Sequence, residues 1–218
     1  AMPLLAKEFY GNPASRYPLV GVTGTKGKTT VAYLLKSIFT EAFGAEKVGI
    51  ISTNEALCGS MPLKKNGTTP EALELYGILN TFAESGVKAA VMEVSSQGLQ
   101  YNRVEYVPFD TGIFLNLSPD HVSPTEHHSF EEYKEAKKRM LTLCRRGIVN
   151  LDDRYAEEII RSASCPELYT LSLKDHTADF FAEDILLSKR GVSFRVSGNL
   201  YNLHMPGEFN VYNALAAI

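Results

Sequence analysis

The tightest constraint on how this chain folds is Gly21–Thr30, Gly-Val-Thr-Gly-Thr-Lys-Gly-Lys-Thr-Thr, set between an apolar run and a helical pattern. Pro18–Thr23 (PLVGVT) reads as a short buried strand. Beyond it Val31, Leu34, Leu35, Ile38 and Phe39 recur at helical spacing, and Gly44 stops the run. A glycine-rich turn between strand and helix points backbone N–H groups inward, and the helix end adds positive potential. The combination predicts a phosphate-binding loop containing Gly24, Thr25, Lys26, Gly27, Lys28, Thr29 and Thr30. Its spacing departs from the usual Gly, four residues, Gly-Lys-Thr, because Val22 stands at the first glycine position. Lys28, directly before the helix, is placed to reach the β- and γ-phosphates of ATP, and Thr29 to offer its hydroxyl to Mg2+. Lys26 lies within the loop, its direction unset. The plainer reading, a glycine-rich turn of a flavodoxin-like fold, does not call for Gly-Lys-Thr-Thr at this junction.

Strand and helix signals alternate along much of the chain. KVGIIS reads as a second buried strand, residues 54–67 as a hairpin or loop, and the stretch from Thr69 to Gly86 as a helix with Thr69 as N-cap and Pro70 at its first position. KAAVMEVSS and DTGIFLNLS read as strands, SFEEYKEAKKRMLTLC as a helix, GIVNLDD as a strand and DRYAEEIIRSA as a helix. The expected fold is α/β, a P-loop NTPase-like, mostly parallel sheet with helices on both faces. After residue 179 apolar residues alternate at period two between Arg190-Gly191 and Gly198-Asn199 turns, which predicts a small antiparallel meander. FNVYNALAAI opens a closing helix. Residues 1–17 read as a lead-in or linker.

Composition removes several functions. The 218 residues carry 22 basic and 25 acidic side chains, net −3, so no global field draws the chain to nucleic acid or an anionic membrane. No run of about 18 apolar residues exists to span a bilayer. Cys58, Cys144 and Cys165 lack zinc-ligand spacing and an even count, which suits a reducing cytoplasm.

Three further features stand out. Glu93 ends an apolar strand, where ligands of open α/β sheets sit and where a carboxylate is placed to hold Mg2+. NLSPDHVSPTEHH follows another strand and gathers Asn116, Asp120, His121, His127 and His128. Lys137 falls on the inward stripe Phe130, Tyr133, Lys137, Met140 and Cys144, either snorkelling to the rim or held for a purpose. Lys134, Lys138 and Arg139 fall off that stripe.

Taken together, these segments resemble the ATP-dependent Mur ligases, most closely the central domain of the MurE type. GTKGKT is similar to the family's ATP loop, usually Gly-Thr-Asn-Gly-Lys-Thr; VMEVSSQGL to Met-Glu-Val-Ser-Ser-His; and NLSPDH to Asn-Leu-x-x-Asp-His. TTPEALEL resembles a substrate-contacting segment, YKEAK the segment ending in a special lysine, and GEFNVYNALAA a segment near the adenine. The matches span nearly the whole chain in the family's order, and the loop spacing Gly24-x-x-Gly27-Lys28-Thr29 is the family's normal form.

The resemblance implies an amide-forming ligase of peptidoglycan precursor synthesis. The carboxylate of UDP-N-acetylmuramoyl-L-alanyl-D-glutamate attacks ATP to give an acyl phosphate, and an amino acid displaces phosphate. Lys28, His121 and Lys137 become the catalytic residues, with Lys137 carbamylated by CO₂ into an oxygen donor. Thr29, Glu93, His121 and Lys137 hold magnesium; Asn116, Asn210 and Asn213 join the loop in binding ATP; and Thr68, Thr69, Ser95 and Ser96 contact the muramoyl peptide. Residues 1–17 become the exit of an N-terminal UDP-binding domain, and 18–218 a central domain followed by a C-terminal one. Three departures mark this chain: Lys26 at the usual asparagine, Gln97 at a common histidine, and a histidine loop two residues longer, with His127 the better match to the later histidine. Three rival readings remain: another ligase of the superfamily, such as a folylpolyglutamate or cyanophycin synthetase; a P-loop ATPase or binding module that does not ligate; and a catalytically silent scaffold.

Overall fold

The computed structural model describes residues 1–119 and 127–218. In chain order the elements are α1 (Met2–Tyr10), β1 (Leu19–Thr23), α2 (Lys28–Phe43), β2 (Val48–Ile51), β3 (Ala56–Cys58), β4 (Met61–Leu63), α3 (Ala72–Glu84), β5 (Ala89–Glu93), α4 (Ser96–Gln100) and β6 (Phe109–Phe114). They continue with α5 (Phe130–Lys138), β7 (Cys144–Asn150), α6 (Ala156–Ser162), β8 (Glu167–Ser172), β9 (Phe180–Phe181), β10 (Glu183–Ser188), β11 (Gly191–Val196), β12 (Asn199–Leu203) and α7 (Phe209–Leu215).

Nine strands form one sheet in the order β4-β3-β2-β5-β1-β6-β7-β8-β9, parallel from β2 to β9, with the β3–β4 hairpin antiparallel at one edge. β1 sits in the middle, and its chain runs out first to β2 on one side and later to β6 on the other. The crevice at such a switch point, beyond the carboxyl ends of the strands, is where this architecture binds ligands. Every residue of β1 and β5 is buried, as their unbroken apolar runs require of strands covered on both faces.

Side-chain alternation in β1 divides the core. Leu19 joins Met92, Phe114, Leu75, Leu79, Phe82, Tyr133 and Met140 on the face covered by α3 and α5. Val20 and Val22 join Val91, Ile113, Val31, Leu35, Val211, Leu215 and Phe194 on the face covered by α2, α7 and the meander. The meander itself, β10-β11-β12, is the expected antiparallel sheet.

Several elements depart from the sequence reading. Residues 1–17 are not a bare lead-in: they form α1 and a 3-10 turn, and Ala6, Ala14 and Tyr17 enter the core. Thr69 does not cap α3, whose N-cap is Glu71. Instead its hydroxyl donates to the Glu93 carbonyl at 3.1 Å and accepts from the Ser95 amide at 2.9 Å. The helix carrying Lys137 ends at Lys138 and tightens into a 3-10 turn, so Cys144 belongs to β7. Ile38 in α2 faces solvent, so the buried stripe there is Val31, Ala32 and Leu35. β8 and α4 are additions that the sequence patterning did not single out.

Candidate active site

Gly27 caps the N-terminus of α2 at φ +91°, a conformation that disfavours any side chain. A Cβ there would also collide with the Asn213 Oδ1, so α7 packs directly on the loop. Asn116, just past β6, fixes the other side. Its carbonyl accepts from the Thr25 amide (3.0 Å), its Oδ1 from the Lys26 amide (2.9 Å), and its Nδ2 donates to the Lys26 carbonyl (3.0 Å). Gly27→Ala is expected to weaken ATP binding about tenfold through left-handed strain and displacement of Asn213, as a nucleotide titration would measure.

Loop and neighbouring strand ends bring the predicted polar residues together. The Thr29 hydroxyl donates to Glu93 Oε1 at 2.9 Å, tying the start of α2 to the fully buried carboxylate at the tip of β5. Lys28 Nζ donates to the carbonyls of Gly24 (2.9 Å) and Thr25 (3.2 Å). Lys137 Nζ donates to the same Gly24 carbonyl at 2.9 Å, lies 3.4 Å from the Thr23 hydroxyl and stands 4.8 Å from the centre of the Tyr133 ring. Lys137 is 1% exposed, so it does not snorkel. Burial, reinforced by the nearby Lys28 charge, lowers its pKa well below the usual lysine value. Lys134, expected off the inward stripe, is buried as well, but it pairs with Glu131 and Glu158.

Two clefts flank the loop. One, of about 610 Å³, is lined by Lys26, Gly27, Thr30, Asn116 and Asn213 together with the apolar Leu115, Leu171 and Phe209. Asn210 is buried beside it and accepts a hydrogen bond from Asn213 Nδ2 at 3.0 Å. The other cleft, about 310 Å³, is lined by Lys28, Lys137, Thr53, Thr68, Ser95, Ser96, Gln97 and Arg103. Ser95 caps α4 by accepting from the Gly98 amide, and Ser96 Oγ lies 2.8 Å from His127 Nε2. His121 and Asp120 lie outside the described residues.

The sequence reading missed Arg103, Asp152 and Thr53. Arg103 donates to the Thr69 carbonyl at 3.1 Å and pairs with Glu71 at 2.6 Å, holding a guanidinium at the smaller cleft. Asp152, on the wall of the larger cleft, accepts from the Ser172 hydroxyl (2.6 Å), the Leu173 amide (2.8 Å) and the Tyr212 hydroxyl (2.7 Å), and so joins β7, β8 and α7. The doubled Asp in GIVNLDD was the available signal for Asp152.

Comparison with known proteins agrees with this geometry. A family model described as the Mur ligase middle domain matches residues 22–218. The chain is 43% identical over its whole length to UDP-N-acetylmuramoyl-L-alanyl-D-glutamate--2,6-diaminopimelate ligase 2 of Clostridium acetobutylicum, covering 45% of that protein. It is 39% identical to the corresponding ligase of Caldanaerobacter subterraneus, again covering 45% of it, so it spans less than half the length of these relatives. Among solved structures, a UDP-N-acetylmuramoyl-L-alanyl-D-glutamate--2,6-diaminopimelate ligase superposes with a TM-score of 0.78 at 30% identity, over 92% of this chain and 42% of that one. A Mycobacterium tuberculosis folylpolyglutamate synthase complexed with ADP gives a TM-score of 0.75 at 16% identity, over 99% of this chain and 56% of that one, a likeness of fold alone. With the loop, the acidic strand tip and the buried lysine in place, the chain belongs to the Mur ligase family, as its middle domain.

Proposed function

We propose that the whole protein is an ATP-dependent, ADP-forming ligase of peptidoglycan precursor synthesis, joining an amino acid to UDP-N-acetylmuramoyl-L-alanyl-D-glutamate by way of an acyl phosphate. The observation that carries this reading is the convergence of Thr29, Glu93, Lys28 and Lys137 on one loop that separates two clefts. In it, residues 18–218 form the central domain, and the UDP and acceptor amino-acid sites belong to other domains of the same protein. Both substrates are small and water-soluble, and no helix among the described residues is long and apolar enough to cross a membrane, which suits a cytoplasmic reaction.

The residues fit their assigned groups. The larger cleft offers apolar walls and asparagine amides to a purine, and the N-terminal end of α2, which begins at Lys28, would supply positive potential to the phosphates. A hydroxyl and a carboxylate 2.9 Å apart, Thr29 and Glu93, are hard oxygen donors of the kind Mg2+ takes, with His121 a further candidate ligand. Magnesium bound there would neutralise charge on phosphate oxygens. Lys28 adds a fixed positive charge for the same purpose. Burial and the Lys28 charge make Lys137 easier to deprotonate, and the neutral amine is the form that attacks CO₂; the resulting carbamate would be another oxygen donor. Thr68, Ser95, Ser96 and Arg103 line the smaller cleft and supply hydroxyl and guanidinium groups to an anionic peptide substrate, whereas Thr69, expected beside them, is buried with its hydroxyl held by the backbone of Glu93 and Ser95.

The test is ADP release by the full-length protein with UDP-N-acetylmuramoyl-L-alanyl-D-glutamate and a panel of diaminopimelate, lysine and other amines. Release that requires both the muramoyl dipeptide and one of the amines is expected. ATP turnover indifferent to both would replace the ligase with an ATPase module.

A further inference from the structure

Three hydrogen bonds aim the Glu93 carboxylate, and two of them come from one residue. Thr29 Oγ1 donates to Oε1; the Thr53 amide donates to the same oxygen at 2.8 Å, and Thr53 Oγ1 donates to Oε2 at 3.1 Å. Thr53 follows β2, on the far side of β5 from β1, so Glu93 is held from both flanking strands. The same hydroxyl lies 3.2 Å from Thr68 Oγ1. A threonine hydroxyl has one proton, and the charged carboxylate is its stronger acceptor. Thr68 must therefore be the donor in the contact with Thr53, which gives the hydrogen bonds one direction, Thr68 to Thr53 to Glu93.

The turn does not need this hydroxyl for its own shape. Ser52 closes it, with its amide donating to the Glu55 carbonyl at 2.8 Å and its hydroxyl accepting from the Glu55 amide at 3.2 Å. The Thr53 carbonyl is engaged separately by Lys65 Nζ at 3.1 Å. Thr53 also borders the smaller cleft and a second polar cleft lined by Lys64, Lys65 and Thr68. An exposed side chain that the local turn leaves unused, spent instead on a buried carboxylate and on Thr68, has a role in the site.

We infer that Thr53 is a positioning residue: it orients Glu93 for the metal and ties that orientation to the Thr68 segment. This rests on Glu93 acting as a magnesium carboxylate. An anionic substrate group that accepts the Thr68 hydrogen bond removes the Thr68–Thr53 contact, and the Thr53 hydroxyl, no longer polarised by it, donates less strongly to Glu93. Engagement of the acyl substrate is thereby felt at the metal site.

Mn2+ binding to the full-length protein in the presence of ADP, followed by paramagnetic water-proton relaxation, tests this without a turnover measurement. Thr53→Val is expected to weaken Mn2+ binding about tenfold, the loss of one hydrogen bond to a charged group, while Thr53→Ser stays within about twofold of wild type. Thr68→Val is expected to weaken binding less, and to add nothing in the Thr53→Val background. Wild-type affinity in Thr53→Val, loss in Thr53→Ser equal to that in Thr53→Val, or no Mn2+ binding by wild type would overturn the assignment; additive losses from Thr53 and Thr68 would overturn the link between them. Should Mn2+ binding behave as expected while ADP release fails with every amine, the ligase reading falls and the role of Thr53 stands.

Discussion

Lys137→Ala in the full-length protein is expected to lower kcat by about 10²–10³-fold, the scale of losing one preorganised group that offsets charge in the transition state. The side chain is buried, pointed at the phosphate loop and depressed in proton affinity by its surroundings, all of which favour a chemical role over a packing one. Alanine also leaves a cavity, so Lys137→Met provides the volume control. Methionine fills the space without a buried amine to desolvate, and that variant is expected to melt at or above the wild-type temperature yet be as inactive as alanine. Short carboxylates added to Lys137→Ala are expected to restore part of the activity by standing in for the carbamate oxygens. Steady-state ADP release with and without acetate or formate reads this directly. Full activity in Lys137→Met would remove the lysine from the mechanism.

Phe82→Ala is expected to cost about 3–5 kcal/mol of folding stability, the range for deleting a fully buried aromatic ring, and so to lower Tm by roughly 6–20 °C for a chain of this size. Phe82 is 0% exposed on α3 and packs edge-on against Tyr17, with ring centres 6.3 Å apart. Its ring lies over Gly49 of β2, where an added Cβ would stand only 2.7 Å from it. The glycine in β2 is thus the seat of the ring, and truncating Phe82 leaves a cavity above it. Phe82 lines neither cleft, so nucleotide affinity measured well below the new Tm is expected to stay unchanged. Thermal denaturation followed by circular dichroism, paired with an ATP titration, separates the two effects.

Elements whose burial makes them chemically uniform were the legible ones. β1 and β5 are apolar throughout because both faces are covered, and the meander alternates because one of its faces packs against Val211 and Leu215. The glycine-rich turn between β1 and α2 was legible because its glycines serve local geometry that neighbouring residues encode. β8 was not: ELYTLS is half exposed, buried only at Leu171 and Ser172, and carries no continuous apolar signal. Thr69 was misplaced because a threonine before proline satisfies the pattern of a helix cap, while in the fold its hydroxyl is claimed by the backbone of Glu93 and Ser95. Thr53 and Arg103 left no trace in the sequence. Their importance comes from partners 40 and 34 residues away that only strand order brings within reach. His121, Asp120 and the longer histidine loop lie outside the described residues.

The two bonds from Lys28 to its own loop set an entrance fee for whatever binds there. An incoming group must lure the ammonium off the oxygens of Gly24 and Thr25, and it has to offer oxygen richer in negative charge than a peptide's. A nucleoside or other neutral guest, however well its base suited the neighbouring hollow, would leave that latch shut, whereas a polyphosphate tail would open it. Discrimination by charge is in this way built into the loop before any catalytic event begins.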